Sequence, residues 1–123
     1  MFPIFDVPFK SSGIYPISKY VTEPYLNIHK IYPLNQCAVE AIVKYVKEHH
    51  NASQVIIFGS SVRDDCMITS DVDFAVRDSD YRSWNKLRLP HGKSYDIIYL
   101  EELKEGSRLL ENIRREGVVV YEH

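Results

Sequence analysis

The stretch Gln54-Val55-Ile56-Ile57-Phe58-Gly59-Ser60, followed after ten intervening residues by Asp71-Val72-Asp73-Phe74, decides the fold. The first segment is a continuous apolar run that ends at a glycine, which is typical of a buried strand followed by a tight turn. In the second segment Asp71 and Asp73 are two residues apart, so a strand places both side chains on one face. The alternating apolar residues then point into the core. The two segments predict two strands of one sheet, with a pair of carboxylates on one of them.

Apolar segments around these strands predict the remaining elements. Residues 34–50 form a first helix, because their apolar residues recur at helical spacing. These residues are Leu34, Cys37, Ala38, Ala41, Ile42, Tyr45 and Val46. Further strands are expected at residues 95–100 and 118–121, and a short helix within residues 78–89. A last helix, capped by Gly117, has an apolar face of Leu103, Gly106, Leu109, Leu110 and Ile113. This order of elements predicts an α/β fold of the α+β kind, a small mixed β-sheet with helices packed on it.

The first 33 residues differ in composition from the rest of the chain. They hold five of the six prolines and seven aromatic residues. The prolines interrupt long helices and central strands, and the aromatic residues make the segment too apolar for a solvated linker. We therefore divide the chain into an extended N-terminal arm, residues 1–33, and a domain of residues 34–123. The arm either wraps its own domain or packs on a partner chain.

Length and composition limit the class of protein. The 123 residues suit one domain, and 45% hydrophobic residues are enough for a core. A formal net charge of −2 disfavours general nucleic-acid binding, which uses a basic excess. No apolar run approaches the about 20 residues of a membrane span, and the N-terminus lacks a basic or apolar leader, so we expect a cytoplasmic protein. The two cysteines, Cys37 and Cys66, lack the spacing of a zinc site.

Three carboxylates are the candidate metal ligands. Asp71 and Asp73 converge on one point, where two ionised carboxylates repel each other unless a positive group lies between them. Asp96 is the third, because a charge within the apolar stretch Tyr95-Asp96-Ile97-Ile98 is costly unless it is paired or bound to a metal. An oxygen-only donor set suits Mg²⁺ or Mn²⁺ and not zinc. The alternative for Asp71 and Asp73 is a solvent-facing edge strand that binds nothing.

Gly59 and Ser60 favour the metal-binding interpretation. A glycine at the end of an apolar strand permits a tight turn and close backbone approach, and a helix that begins just after it presents free N–H groups to a phosphate. Ser60 adds a hydroxyl group. Metal-binding carboxylates beside a phosphate site are the components of phosphoryl or nucleotidyl transfer, in which the protein mainly positions groups and neutralises charge.

Together these motifs resemble the signature of the DNA polymerase β-type nucleotidyltransferase superfamily: a hydrophobic residue, Gly, Ser, a short spacer, and Asp-x-Asp between hydrophobic residues. Arg63 matches the Arg of the F-G-S-x-A-R-G string of many small members, and Ser70 matches their Ser before the first Asp. Asp64 departs from the pattern, which has Gly there. The tail from Leu100 to Tyr121 resembles that of the small members called minimal nucleotidyltransferases, so the resemblance covers residues 34–121.

The resemblance implies a polymerase β-like palm fold and a role for each candidate residue. The catalytic and metal-binding residues are Asp71, Asp73 and Asp96. They would hold two Mg²⁺ ions, or Mn²⁺, and Asp96 would also help to activate the attacking hydroxyl. The residues that would bind the nucleoside triphosphate, ATP being favoured, are Gly59, Ser60 and Arg63.

The resemblance also implies a reaction and a partner. An NMP, AMP in the favoured case, passes to a hydroxyl of a macromolecular acceptor and pyrophosphate leaves. Minimal nucleotidyltransferases pair with HEPN-type toxins in toxin–antitoxin systems, so the expected acceptor is a partner protein of that kind. The alternative is a non-catalytic antitoxin or protein-binding module that retains the fold and uses the arm for contact. A third interpretation takes an RNA end as the acceptor. Homo-oligomerisation stays open.

Overall fold

The structure, a computed structural model, describes residues 14–63 and 65–123. The first 13 residues of the predicted arm and Asp64 lie outside the described residues. The central element is a four-stranded sheet of β1 Gln54–Phe58, β2 Val72–Arg77, β3 Tyr95–Tyr99 and β4 Val118–Glu122. Two α-helices within the described part of the chain, α1 Pro33–His49 and α2 Arg108–Glu116, accompany it. The predicted α+β fold with a mixed sheet is confirmed.

The strands lie in the order β3-β2-β1-β4. β1 runs antiparallel to both β2 and β4, while β2 and β3 are parallel. The parallel pair needs a crossover, which residues 78–94 provide. The short helix predicted within residues 78–89 is a single 3-10 turn, Tyr81–Trp84, and not an α-helix. The chain then runs extended, because both Leu87 and Leu89 are buried in the core.

Alternation along the strands gives the sheet two different faces. On the face covered by α1, the buried residues form the main core, which includes Val39, Ile42, Val46, Val55, Ile57, Val72, Phe74 and Val76. On the opposite face, Phe58, Ala75 and Ile113 form a smaller cluster beneath α2. Asp73 and Asp96 have the same parity as Ala75 and Ile98 along their strands, so they belong to the α2 face. These two candidate metal ligands therefore lie beyond the end of the smaller cluster.

The buried surface of helix α1 is wider than its predicted apolar stripe, because residues 14–32 pack against a second side of the helix. Two buried polar side chains of α1 bind this segment. Gln36 accepts a hydrogen bond from Ser18 N (2.7 Å) and donates to the Pro16 carbonyl (3.0 Å). Glu40 accepts from the amide of Glu23 (2.6 Å) and from the backbone and hydroxyl of Thr22. Within residues 14–32, Tyr15, Ile28 and Ile31 are buried.

Helix α2 begins later than its apolar pattern suggests. Gly106 has a φ of +84°, outside the helical range, and Ser107 caps the first turn by accepting a hydrogen bond from Leu110 N. Leu103 therefore precedes the helix, although it still packs on the smaller cluster. The predicted cap at Gly117 is confirmed, because its N–H donates to the carbonyl of Ile113 (2.8 Å). Among the described residues, no helix is long and apolar enough to cross a membrane.

Candidate nucleotidyltransferase site

Asp73 and Asp96 stand opposite each other in the parallel pair of β2 and β3. Adjacent strands lie about 4.8 Å apart, so the two carboxylates on the same face are close neighbours. The sequence predicted only that a neighbouring strand would bring Asp96 to the pair. The pairing of β2 with β3 supplies the register, which depends on the crossover and not on any local pattern.

Asp71 lies one residue before β2 and is exposed. The turn that precedes it is closed by two hydrogen bonds, from Ser70 N to the Met67 carbonyl (2.9 Å) and from Met67 N to Ser70 Oγ (2.8 Å). Lys93 Nζ donates to the carbonyls of Ile68 (2.9 Å) and Ser70 (3.0 Å), which ties this turn to the segment before β3. These contacts hold Asp71 at the mouth of the site, where its negative charge reaches Asp73.

The environment of Asp73 disfavours its charged form. Burial raises the pKa of Asp73, and the negative charges of Asp96 and Asp71 raise it further, while Arg63 opposes the shift. Such a shift arises where like charges are gathered without enough compensating cations. A group of carboxylates kept in this state is a frequent feature of catalytic and ion-binding sites.

Gly59, at the end of β1, lies directly against Asp73. Its φ is +78°, a conformation that residues with a side chain rarely adopt, and a Cβ built there would lie 2.5 Å from Asp73 Oδ2. β1 and β2 pair up to Phe58 and Asp73, so the glycine turns the chain away where the carboxylate needs space. The backbone and the carboxylate thus occupy one compact site.

Residues 59–63, which follow β1, are called the 59–63 loop. Its first four residues form a single 3-10 turn, Gly59–Val62, so the predicted helix with free N–H groups is wrong at this point. The turn is anchored from outside by α1 and the residue before it: Asn35 Nδ2 donates to Ser61 Oγ and Tyr32 N donates to the Ser61 carbonyl, both at 2.8 Å. Ser60 is partly buried beside these anchors.

A carboxylate that the sequence did not single out also contacts the loop. Gly59 N donates to Glu116 Oε2 (2.8 Å), and Arg63 Nη1 lies 3.1 Å from Glu116 Oε1. Arg63 also pairs with Asp65, at 3.2 Å from Nε to Oδ1. One signal pointed to Glu116: it is the last residue of α2, where the helix dipole favours a cation.

Residues 40–123 match the family model described as polymerase beta, nucleotidyltransferase. The chain belongs to this nucleotidyltransferase family. The match contains all four strands, α2 and the six predicted site residues, and it is consistent with the resemblance to minimal nucleotidyltransferases. A search of curated protein sequences finds no match. Membership supports a general activity for this nucleotidyltransferase, the transfer of a nucleoside monophosphate from a nucleoside triphosphate.

The donor set of the nucleotidyltransferase suits the divalent metals that its family typically uses. Asp71, Asp73 and Asp96 supply only oxygen donors, which hard cations such as Mg²⁺ prefer. Burial raises the pKa of Asp73, and so do the negative charges of Asp96 and Asp71, which such an ion would neutralise. As they stand, no three His, Cys, Asp or Glu side chains within residues 14–63 and 65–123 are arranged around a common metal position.

A cavity of about 820 Å³ adjoins the site at Asp71. It is formed by residues 18–20, the start of α1 and the turns before β2 and β3. Three of its lining residues are large apolar side chains exposed to solvent: Tyr20 at 71%, Leu34 at 47% and Ile68 at 75%. The nucleotidyltransferase thus has an apolar surface beside Asp71, built partly by a segment outside the family match.

Proposed function

We propose that this nucleotidyltransferase transfers AMP from ATP to a hydroxyl of a partner protein in the cytoplasm, with two Mg²⁺ ions bound by Asp71, Asp73 and Asp96. One observation carries the proposal. Asp73 and Asp96 are paired across two parallel strands directly beside Gly59, so a carboxylate pair and a tight backbone turn share one position. The raised pKa of Asp73 supports the same assignment, because an uncompensated carboxylate cluster is suited to a cation.

Each residue then has a distinct task. Gly59 and Ser60 border the triphosphate, and Arg63, which is exposed at the end of the loop, neutralises charge on its outer phosphates. Asp96 accepts the proton of the attacking hydroxyl, whose oxygen forms a bond to the α-phosphorus. The bond from that phosphorus to the bridging oxygen breaks, and pyrophosphate leaves. When bound, the metal ions would supply charge neutralisation on the phosphates.

The apolar cavity supports a macromolecular acceptor. Exposed Tyr20, Leu34 and Ile68 form a surface that suits an apolar segment of a partner protein better than a small polar acceptor. The lining includes the turns that precede β2 and β3, which are the strands of Asp73 and Asp96, and it does not include the 59–63 loop. An acceptor seated there brings its hydroxyl to the carboxylate side, opposite the leaving pyrophosphate.

The reaction is tested by following the label of ATP. The protein is incubated with its host-cell proteins and RNA and with ATP labelled at the α- or the γ-phosphate, in Mg²⁺ or EDTA. AMP transfer predicts incorporation from the α-label alone, only with Mg²⁺, and its loss in Asp73→Asn. Glu102→Gln, which removes an exposed charge beyond the far end of β3, is the matched control. Incorporation from the γ-label that depends on the added protein would contradict nucleotidyl transfer.

Digestion of the labelled product identifies the acceptor class. A label that protease releases and ribonuclease does not supports a protein acceptor. The reverse result favours the RNA-end interpretation and removes the partner protein from the proposal. Label on the chain itself would identify this protein as its own acceptor.

The non-catalytic alternative also has a structural observation in its favour. Within residues 14–32, Ile14, Ile17, Tyr20 and Leu26 are large apolar side chains with 48–71% of their surface exposed. An antitoxin or binding module would use such a surface for contact with its partner. Deleting residues 1–33 would also remove the buried Ile31, so the cleaner variant is Ile17→Ser with Tyr20→Ser. This alternative predicts lost partner binding in that variant and unchanged binding in Asp73→Asn.

A further inference from the structure

Glu116 connects the two ends of the 59–63 loop. Its carboxylate accepts the Gly59 N–H at one oxygen (2.8 Å) and contacts Arg63 Nη1 at both oxygens (3.1 and 3.3 Å). The side chain of Glu116 is 21% exposed, against 47% for Arg63. The better-buried contact, to the backbone of Gly59, is therefore the firmer of the two, since exposed ion pairs contribute little.

The negative charge of Glu116 is unfavourable at its position in α2 and needs a compensating contact. A carboxylate in the last turn of a helix meets the negative end of the helix dipole. The two preceding arginines do not neutralise it: Arg114 pairs with Glu105 (2.8 Å) and Glu111 (3.4 Å), and Arg115 donates to Asn112 Oδ1 (2.6 Å). The carboxylate turns toward the sheet, where the Gly59 N–H and Arg63 offset the cost.

The Gly59 N–H is the point at which the loop leaves β1. Gly59 has a positive φ and lies against Asp73, so the direction of its peptide decides whether the loop clears the carboxylate. Fixing this N–H therefore fixes the start of the loop relative to Asp73. Arg63 uses Nη1 for Glu116 and Nε for Asp65, and a guanidinium with five N–H donors has others left for a phosphate.

We propose that Glu116 is a positioning residue for the triphosphate, acting through the Gly59 N–H to hold the 59–63 loop beside Asp73. This inference rests on the proposed function. Glu116 itself does not touch the nucleotide, whose negative charge it would repel. Its contribution is to keep the loop in one conformation before the nucleotide binds, which removes an ordering cost from binding.

Three variants separate this role from a general structural one. Glu116→Ala removes the acceptor for the Gly59 N–H. Glu116→Gln keeps a side-chain oxygen that can accept it, but removes the charge that pairs with Arg63. Glu111→Gln removes an exposed charge from the same helix and is the control.

The dissociation constant of MgATP is measured by calorimetry for each variant, at a temperature where far-UV circular dichroism shows all of them folded. We expect Glu116→Ala to bind about tenfold more weakly, as the loss of a charge-assisted hydrogen bond predicts. Glu116→Gln should recover binding to within about threefold of wild type, and Glu111→Gln should match wild type. Amide exchange without nucleotide should show faster exchange at Gly59 in Glu116→Ala only.

Two results would overturn the inference alone while the wild type still binds MgATP. One is unchanged affinity in Glu116→Ala, and the other is a Glu116→Gln variant as weak as Glu116→Ala. A wild-type protein that binds no triphosphate at all would instead overturn the proposed function together with this inference.

Discussion

The carboxylate of Asp73 fills the space that a side chain at position 59 would need. A Cβ on Gly59 would lie 2.5 Å from Asp73 Oδ2, and the backbone of Gly59 has a φ of +78°. The lack of a side chain at Gly59 therefore leaves the space that the Asp73 carboxylate occupies. This relationship links the stability of the turn to the geometry of the carboxylate pair.

Gly59→Ala should be more destabilising than a glycine substitution at positive φ alone. The matched control is Gly106→Ala, where φ is +84° and nothing lies within 4 Å of the added Cβ. We expect the control to lower the free energy of unfolding by about 1 kcal/mol, and Gly59→Ala by about 2–3 kcal/mol, because the clash adds to the backbone strain. Urea denaturation measures both values. Equal losses of stability in the two variants would show that the Asp73 side chain moves away from the added Cβ without cost.

Asp73→Asn should stabilise the protein in EDTA although it removes function. The pKa of Asp73 is raised above 3.8 by burial and by Asp96 and Asp71. The folded state therefore binds more protons than the unfolded state between these two pKa values, and stability falls as the pH rises through that window. At pH 7 the variant should therefore be more stable than wild type.

The pH dependence of this gain provides its control. Below the unfolded-state pKa of 3.8 both states carry a protonated Asp73, so wild type and Asp73→Asn should converge in stability. Thermal unfolding in EDTA at several pH values measures the difference. A constant difference across the pH range, or a less stable variant at pH 7, would contradict the electrostatic account of the carboxylate cluster.

Glu40→Gln should release residues 18–25 from α1. Burial acts to raise the pKa of Glu40, but hydrogen bonds from Thr22 and Glu23 and the charge of Lys44 outweigh it and lower the pKa. A lowered pKa gives stability that is present above the unfolded value of 4.5 and is lost as the pH falls through the folded value. We expect a loss of about 2 kcal/mol at pH 7.

Amide exchange at Thr22 and Glu23 localises that effect, since both amides donate to Glu40. They should exchange faster in Glu40→Gln and stay protected in Glu48→Gln, which changes an exposed residue of the same helix. Slow exchange at both amides in Glu40→Gln would mean that contacts other than those of Glu40, such as the hydrogen bonds of Gln36, hold this segment.

Local sequence patterns were sufficient to predict the strands of the sheet and the face on which Asp73 lies. Apolar runs and period-two alternation predicted β1, β2 and β3 to within a residue or two, because burial of alternate side chains is a local property of a strand. The position of Asp73 on the face opposite Phe74 followed from the same rule. The pairing of Asp73 with Asp96 needed the crossover, which the local pattern does not specify.

The predictions from sequence are wrong or incomplete where a segment that is distant in the chain packs against a helix or a loop. The predicted stripe of α1 included Leu34, which is 47% exposed, and missed Val39 and Val43, which are buried. Residues 14–32 bury a second side of the helix through Gln36 and Glu40, polar residues that normally indicate a solvated face. Glu116 was missed for the same reason, since its partner Gly59 is 57 residues away.

Calorimetric titration of ATP, GTP, CTP and UTP tests the central claim most directly, because it needs no acceptor. Wild type, Asp73→Asn and the control Glu102→Gln are each titrated with Mg²⁺ and with EDTA. The account predicts that ATP binds wild type and Glu102→Gln with Mg²⁺ only, and that Asp73→Asn loses this binding while it remains folded. If no triphosphate binds wild type, or if Asp73→Asn binds as well as wild type, the nucleotidyltransferase site assigned to these carboxylates is wrong.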